Sequence, residues 1–323
     1  MKKVKKSNTP PKKRTKKGKR KVINWSEYNN ALVERGNIEF WVDEETLKAW
    51  KEKLDGSKGR PKKFSNQAII LTLQLGKVYR QKLRQTEGLV RSLFTVMKLE
   101  LVVPDYTTLS RRAENLDIDI GSTVENVRAI IIDSTGLKMY GEGEWKVRKH
   151  GYSKHRMWHK YHVAISPDGQ IQAVELTDNS NNDGTIAVKI LKKIDHTIDA
   201  FYGDGAYDQR KVYDACREKE VSIFAIPPQK NAKIWQHGNC KIPPHPRDEN
   251  LRAIRKSTKN SWKEKIGYHT RSLVETTMFR YKRTFGHDME ARNKENQQTE
   301  IYLKSRILNK MWQLGMPETV SAT

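Results

Sequence analysis

Residues Val127–Gly136 read V-R-A-I-I-I-D-S-T-G. The apolar, β-branched run predicts a short buried strand over Val127–Ile132 that ends on Asp133. Ile198–Asp208 reads I-D-A-F-Y-G-D-G-A-Y-D and repeats the design, with a strand over Ile198–Tyr202 followed by Asp204. Between the two, the pattern predicts strands at Trp145–Arg148, Lys160–Ile165 and, after a P-D-G turn, Ile171–Leu176. A helix capped near Asp183 then runs through Ile194. A meander followed by a helical crossover returns the chain beside its first strand and parallel to it. Asp133 and Asp204 are therefore expected at one carboxyl edge of an α/β sheet flanked by helices, where open sheets place their sites. Gly203 and Gly205 flank Asp204 and permit close approach of backbone or ligand.

Further along, a helix is predicted over Gln209–Lys219, a strand over Val221–Ile226, a Pro-rich loop to Asn250 and, last, a long basic helix. Its sequence from Tyr268 to Lys282 is Y-H-T-R-S-L-V-E-T-T-M-F-R-Y-K. At about 100° per residue, Tyr268, Arg271, Glu275 and Lys282 fall within an arc of roughly 60°. Val274, Met278, Tyr281 and Phe285 form a neighbouring apolar stripe that can pack on a core. One carboxylate framed by two cations and a phenol suits an anionic, metal-bound partner. If Glu275 joins Asp133 and Asp204, three carboxylates crowd together and a cation is needed among them. Magnesium suits such oxygen ligands and leaves positions open for phosphate, and two ions can hold both oxygens of an in-line displacement. Arg271 and Lys282 would hold phosphates, and Tyr268 would stack on a base or bond to the backbone.

Upstream, Glu45–Leu54, Asn66–Tyr79 and Gln85–Met97 read as amphipathic helices, with Ser65 as N-cap of the second. V-P-D-Y-T-T-L-S-R-R adds a breaker at Pro104, a cap at Asp105 and a short helix ending in Arg111 and Arg112. This is a small all-α domain over residues 23–120, ahead of an α/β domain over 121–315 and a short tail over 316–323. Its helix-turn-helix-like spacing suggests Arg111 and Arg112 as DNA contacts in a major groove.

The formal net charge of +24 points to a polyanionic partner, most simply nucleic acid. Half of that charge lies in residues 1–22, which hold twelve Lys and Arg and no acid. That basic tail cannot bury enough apolar surface to fold alone and is expected to be disordered when free. No long apolar run predicts a membrane span or a signal peptide, and two cysteines suit a reducing, cytoplasmic setting. His237, Cys240 and His245, or His150, His155, His159 and His162, could suggest zinc. Neither set has the paired C-x-x-C elements that would support it. A nucleotide-hydrolysing P-loop is absent.

The segments I-I-D-S-T-G, Y-G-D-G-A-Y-D and Y-x2-R-x3-E-x6-K, with L-R-Q-T-E-G-L and V-P-D-Y-T-T-L-S-R-R upstream, resemble those of bacterial DDE transposases of the insertion-sequence-five group. The likeness covers roughly residues 23–315, and the basic tail has no counterpart in it. It implies an RNase H-like domain, with Asp133, Asp204 and Glu275 as catalytic metal ligands and Tyr268, Arg271 and Lys282 in accessory, DNA-contacting positions. It also implies Mg2+, with Mn2+ as a substitute. The reaction would be cleavage at the terminal inverted repeats of a mobile element and strand transfer into target DNA, in a nucleoid-associated setting. A homodimer would bring two element ends together. The rival readings are an RNase H-like nuclease or resolvase without strand transfer, and an inactive DNA-binding relative.

Overall fold

The computed structural model describes residues 20–53, 61–124, 127–139, 158–236 and 243–321. The expected strand at Trp145–Arg148 lies outside these residues, as do His150, His155, His237 and Cys240.

The first half is helical. Helices α1 (Trp25–Glu34), α2 (Ile38–Trp41) and α3 (Glu44–Lys48) precede α4 (Asn66–Val78), α5 (Leu83–Val96) and α6 (Tyr106–Ala113). The Ser65 side chain caps α4 by accepting from the Ala68 N–H, and Asp105 caps α6 through Thr107 and Thr108, as their sequences predict. α3 stops at Lys48, short of the expected span, because the chain turns there to bury Trp50, whose indole N–H donates to the Val102 carbonyl at 2.7 Å. Trp41, Trp50, Phe94 and the apolar face of α4 form the core of this region.

The second half is built on one five-stranded sheet of order β4-β3-β2-β5-β6. Its strands are β2 (Ala129–Lys138), β3 (Trp158–Ile165), β4 (Ile171–Asp178), β5 (Ala200–Tyr202) and β6 (Ile223–Ala225). β2, β3 and β4 form the antiparallel meander, and β5 and β6 run parallel to β2. Helices α7 (Asp183–Lys192) and α8 (Arg210–Glu218) make the crossovers. This is the mixed α/β, RNase H-like arrangement.

Residue parity along β2 sorts its side chains onto two faces. Ile130 and Ile132 join the core under α7 and α8, while Ile131 and Leu137 join the opposite core. That second core is closed by Val274, Met278 and Tyr281 of α11 (Ser272–Phe285) and Ile301 of α12 (Lys294–Gln313). The apolar stripe predicted for the basic helix is thus buried against the sheet.

Five expectations need correction. Asp133 does not end its strand: β2 continues to Lys138, because β3 pairs with it residue for residue from Ile131 to Lys138. The Pro-rich loop ends early, at His245, whose imidazole Nδ1 accepts from the Arg247 N–H and caps α9 (Pro246–Lys256), with Pro246 in the first helical turn. It is followed by α10 (Lys259–Lys265). Tyr268–Arg271 forms a 3₁₀ turn entered through Gly267 at φ 70°, so the quartet spans a turn and a helix. The basic helix is also not the last, since the twenty-residue α12 follows it. Leu303 and Ile307 of α12 enter the core of the helical half while Ile301 packs on the sheet, so one helix closes both. Arg20–Val22, within the stretch expected to be unstructured, forms β1 and pairs antiparallel with β7 (Thr319–Ser321) in the expected C-terminal tail.

Candidate active site

β2 and β5 pair in parallel over Ala129↔Ala200, Ile130↔Phe201 and Ile131↔Tyr202. Asp133 and Asp204 each lie two residues beyond the last of these pairs. The two aspartates therefore leave neighbouring strands at corresponding positions, although only β5 ends there. Asp204 starts a tight turn and accepts from the Ala206 N–H at 2.8 Å. Gly203 is required by space: a Cβ there would sit 2.9 Å from the ring of Tyr207. A Cβ on Gly205 would meet only the Pro227 carbonyl at 3.5 Å, an ordinary contact.

By parity, Asp133 and Thr135 share the face of β2 that α11 covers. Two cations reach them from that side. The Arg271 guanidinium donates to the Asp133 carboxylate at 2.7 Å and, through its other terminal nitrogen, to Glu275. Lys282 donates to the Thr135 hydroxyl at 2.5 Å. Asp133 and Glu275 thus lie at the two ends of one guanidinium.

The electrostatics fit this picture. Burial raises the Asp133 pKa and neighbouring Asp204 raises it further, against the opposing effects of the Ser134 N–H and Arg271. Burial works against the Arg271 charge, but Asp133, Tyr268 and Glu275 more than restore it and its pKa stands above the ordinary value. The half-buried Tyr268 phenol is pushed up by burial and feels Arg271 and all three acids, Asp204, Asp133 and Glu275. One side chain therefore senses the whole set. The Lys282 pKa is lowered by burial.

Tyr268 is itself held in place. Lys263 lies over its ring at 5.1 Å, Arg271 at 6.0 Å, and Trp262 is tilted against it at 6.0 Å between centroids. The sequence reading missed Lys263 and Trp262, which come from α10 with no motif of their own. It also missed Thr135 and Tyr207, although both stand in the quoted segments and the period of two marks Thr135 as a companion of Asp133. The buried Tyr207 phenol lacks a hydrogen-bond partner among the described residues, and its pKa is raised well above normal by burial and by Asp133, Asp183 and Asp204.

Arg111 and Arg112 stand apart from this cluster on α6. Arg111 is exposed and donates weakly to the Thr107 carbonyl at 3.4 Å. Arg112 donates to the Phe64 carbonyl at 2.8 Å and lies 3.8 Å from Glu52, so it braces the chain just ahead of α4.

As metal ligands, the three acids offer the hard oxygen donors that a divalent ion of the magnesium type prefers. Asp133 and Asp204 are a crowded carboxylate pair, and Arg271 occupies the place of a counter-charge between Asp133 and Glu275. Among the described residues no three acid, histidine or cysteine side chains are already gathered as a metal site. The donor chemistry fits the ion, with Arg271 as its competitor. His159 and His162, the described members of one candidate zinc set, are buried on β3, and the His162 Nε2 is bonded to the Thr177 hydroxyl.

No described helix is long and apolar enough to cross a membrane. Two family models match the chain, each described as a transposase DDE domain, one over residues 33–142 and the other over residues 127–310. The first takes in the helical half from the end of α1 onward, and the second spans more than half of the chain and includes every residue of the cluster around Arg271. Domains of this kind generally use divalent metal ions and act on DNA. With the second match spanning more than half of its length, the chain belongs to the DDE transposases.

Proposed function

We propose that this transposase cleaves DNA at the terminal inverted repeats of its own insertion sequence and joins the freed 3′ ends to target DNA, with Asp133, Asp204 and Glu275 as catalytic residues. The observation that carries the reading is the pairing of Asp133 and Asp204 two residues past the Ile131↔Tyr202 register, with Arg271 joining Asp133 to Glu275. The three carboxylates would hold one or two magnesium ions, which supply charge stabilisation to the attacking and leaving oxygens of a phosphodiester.

The chain's own residues do the rest. Before DNA arrives, Arg271 offsets part of the charge of Asp133 and Glu275. An incoming phosphate offers the guanidinium a second partner of matching geometry, and its transfer leaves three acids with excess negative charge. DNA binding and cation binding therefore support each other. Lys282, held beside Asp133 by Thr135, receives a second phosphate. Tyr268, backed by Trp262 and Lys263, presents its free edge to the bound strand. Each strand transfer exchanges one phosphodiester for another, so no nucleotide hydrolysis is needed. The helical half, with Arg111 exposed on α6, binds the element ends, and two copies of the chain hold the two ends together.

The test uses duplexes carrying the inverted termini that flank the gene. Glu275→Gln and Asp204→Asn should each abolish magnesium-dependent nicking and strand transfer while end binding in a gel assay stays nearly unchanged. Retained cleavage in either variant would remove that acid from the mechanism.

A further inference from the structure

A small cavity of about 80 Å³ lies between α1, the β3–β4 turn, α11 and α12, lined by Tyr28, Arg35, Gly169, Arg280, Thr284 and Trp312 among others, with no aspartate or glutamate. Arg280 projects from α11 five residues after Glu275, roughly 140° around the helix, so this cavity is separate from the active site. The Arg280 guanidinium is only partly exposed, yet it makes no hydrogen bond or ion pair with any described residue. Arg35 is also only partly exposed. It donates to the Gly315 carbonyl at 3.3 Å, lies 5.9 Å from the centre of the Tyr28 ring, and leaves its Nε without an acceptor. Burial lowers the pKa of both arginines; Tyr28, which hydrogen-bonds Arg35, works against this at both, and Arg35 lowers Arg280 further.

Two half-buried cations facing each other without a carboxylate are costly unless a ligand supplies the missing charge. Planar guanidinium forks match the oxygens of phosphate. The place also suits a polyanion. Met316 lines the same cavity, its carbonyl accepts from Asn24, and strand β1 enters there from the segment that holds half of the net charge.

We propose that Arg35 and Arg280 form a phosphate-binding site that takes either a backbone phosphate of bound DNA or free inorganic phosphate. The DNA source rests on the function proposed above; the inorganic source does not.

The experiment compares the full-length protein with its Arg280→Gln variant. The variant should be at least as stable as the wild type in phosphate-free buffer, because it removes a half-buried charge that has no ion-pair partner among the described residues. Sodium phosphate, against sodium chloride at matched ionic strength, should raise the melting temperature of the wild type more than that of the variant if free phosphate is the ligand. In duplex binding, the variant should flatten the slope of log K against log salt by about 0.9, one phosphate contact, if the ligand is DNA. Either difference supports the site and names its source. Equal responses in both arms overturn it, as does a variant that is less stable without phosphate, which would show a structural partner for the guanidinium. If the wild type fails to cleave its termini while the phosphate response stands, only the proposed function fails.

Discussion

Replacing Arg271 by alanine tests whether this side chain holds Asp133 and Glu275 in place of a cation. Its bond to Asp133 joins side chains that are 20 % and 18 % exposed, at 2.7 Å. A charge-assisted bond of that kind contributes about 1.5–3 kcal/mol. Its bond to Glu275 joins a side chain that is 56 % exposed and four residues away, so it adds only about 0.3–0.5 kcal/mol. Arg271→Ala should therefore cost about 2 kcal/mol of stability in metal-free buffer and lower the melting temperature by a few degrees. On the proposed metal-binding role of the acids, the same free energy reappears when a divalent ion binds, since in the wild type the ion would displace the guanidinium. About 2 kcal/mol corresponds to roughly 30-fold tighter magnesium binding by the DNA-free variant. The measurement is thermal stability as a function of magnesium concentration, with sodium salt as the ionic-strength control. The variant should begin below the wild type and close the gap as magnesium saturates, although its DNA cleavage is lost. A gap that stays constant at all magnesium concentrations would show that Arg271 remains on the acids in the loaded state and would refute the exchange. A variant as stable as the wild type without metal would refute the bridge itself.

Two further outcomes follow from buried groups around the sheet. Burial lowers the His162 pKa to about 4, against the opposing pull of Asp183, with Lys160 and Glu175 also acting on it. A histidine lowered in the folded state gives its full stability above its ordinary pKa near 6.5, and that contribution drains away as pH falls toward about 4. It amounts to roughly 3 kcal/mol across the window, so urea titrations of the wild type should weaken over that range and those of His162→Gln should weaken less; parallel curves would exclude the ring. Arg247 and Asp208 form a buried ion pair at 2.7 Å that ties α9 to the loop carrying Asp204. Arg247→Met should cost about 3–5 kcal/mol by leaving the Asp208 charge buried without a counter-ion, with only the Tyr213 hydroxyl and the Gln229 N–H still donating to it, and adding Asp208→Asn should return part of it; a double variant no more stable than the single one would mean that the charge is not the cause.

The fold was legible where side-chain chemistry followed the period of an element. The Ile-rich run into Asp133 and its echo at Phe201–Asp204 revealed two parallel neighbours, and the stripe at Val274, Met278 and Tyr281 revealed the face of α11 that covers them. The end of β2 was hidden, because S-T-G-L-K has little strand character of its own and is held extended by a partner, β3, twenty or more residues away. α12 was hidden for the opposite reason. It is one of the most deeply buried helices, but much of its inward surface is polar: Gln297, Glu300, Lys304, Ser305 and Asn309. Apart from the Gln297 Oε1, which has no partner among the described residues, these groups bond one another and the backbone around them. Glu300 accepts from Lys304 at 2.5 Å and from the Glu290 and Ala291 N–H groups, and Asn309 bonds both backbone groups of Ile171. A hydropathy pattern cannot separate such a helix from a solvated one, because burial is compensated by partners from other segments rather than by apolar side chains.

The same reasoning applies at the site. The sequence places Arg271 one turn from Glu275 and so identifies it as a cation near an anion, but not which anion. Only the sheet, by putting Asp133 within reach of the same guanidinium, shows that in the absence of DNA the arginine's partners are the acids themselves. A side chain read as a phosphate holder is thereby also a guard. It keeps Asp133 and Glu275 compatible with one another until a partner with stronger claims on the guanidinium arrives. If the acids take a divalent ion as proposed, that exchange makes ion binding and DNA binding favour each other, and the magnesium titration of Arg271→Ala with and without duplex tests it.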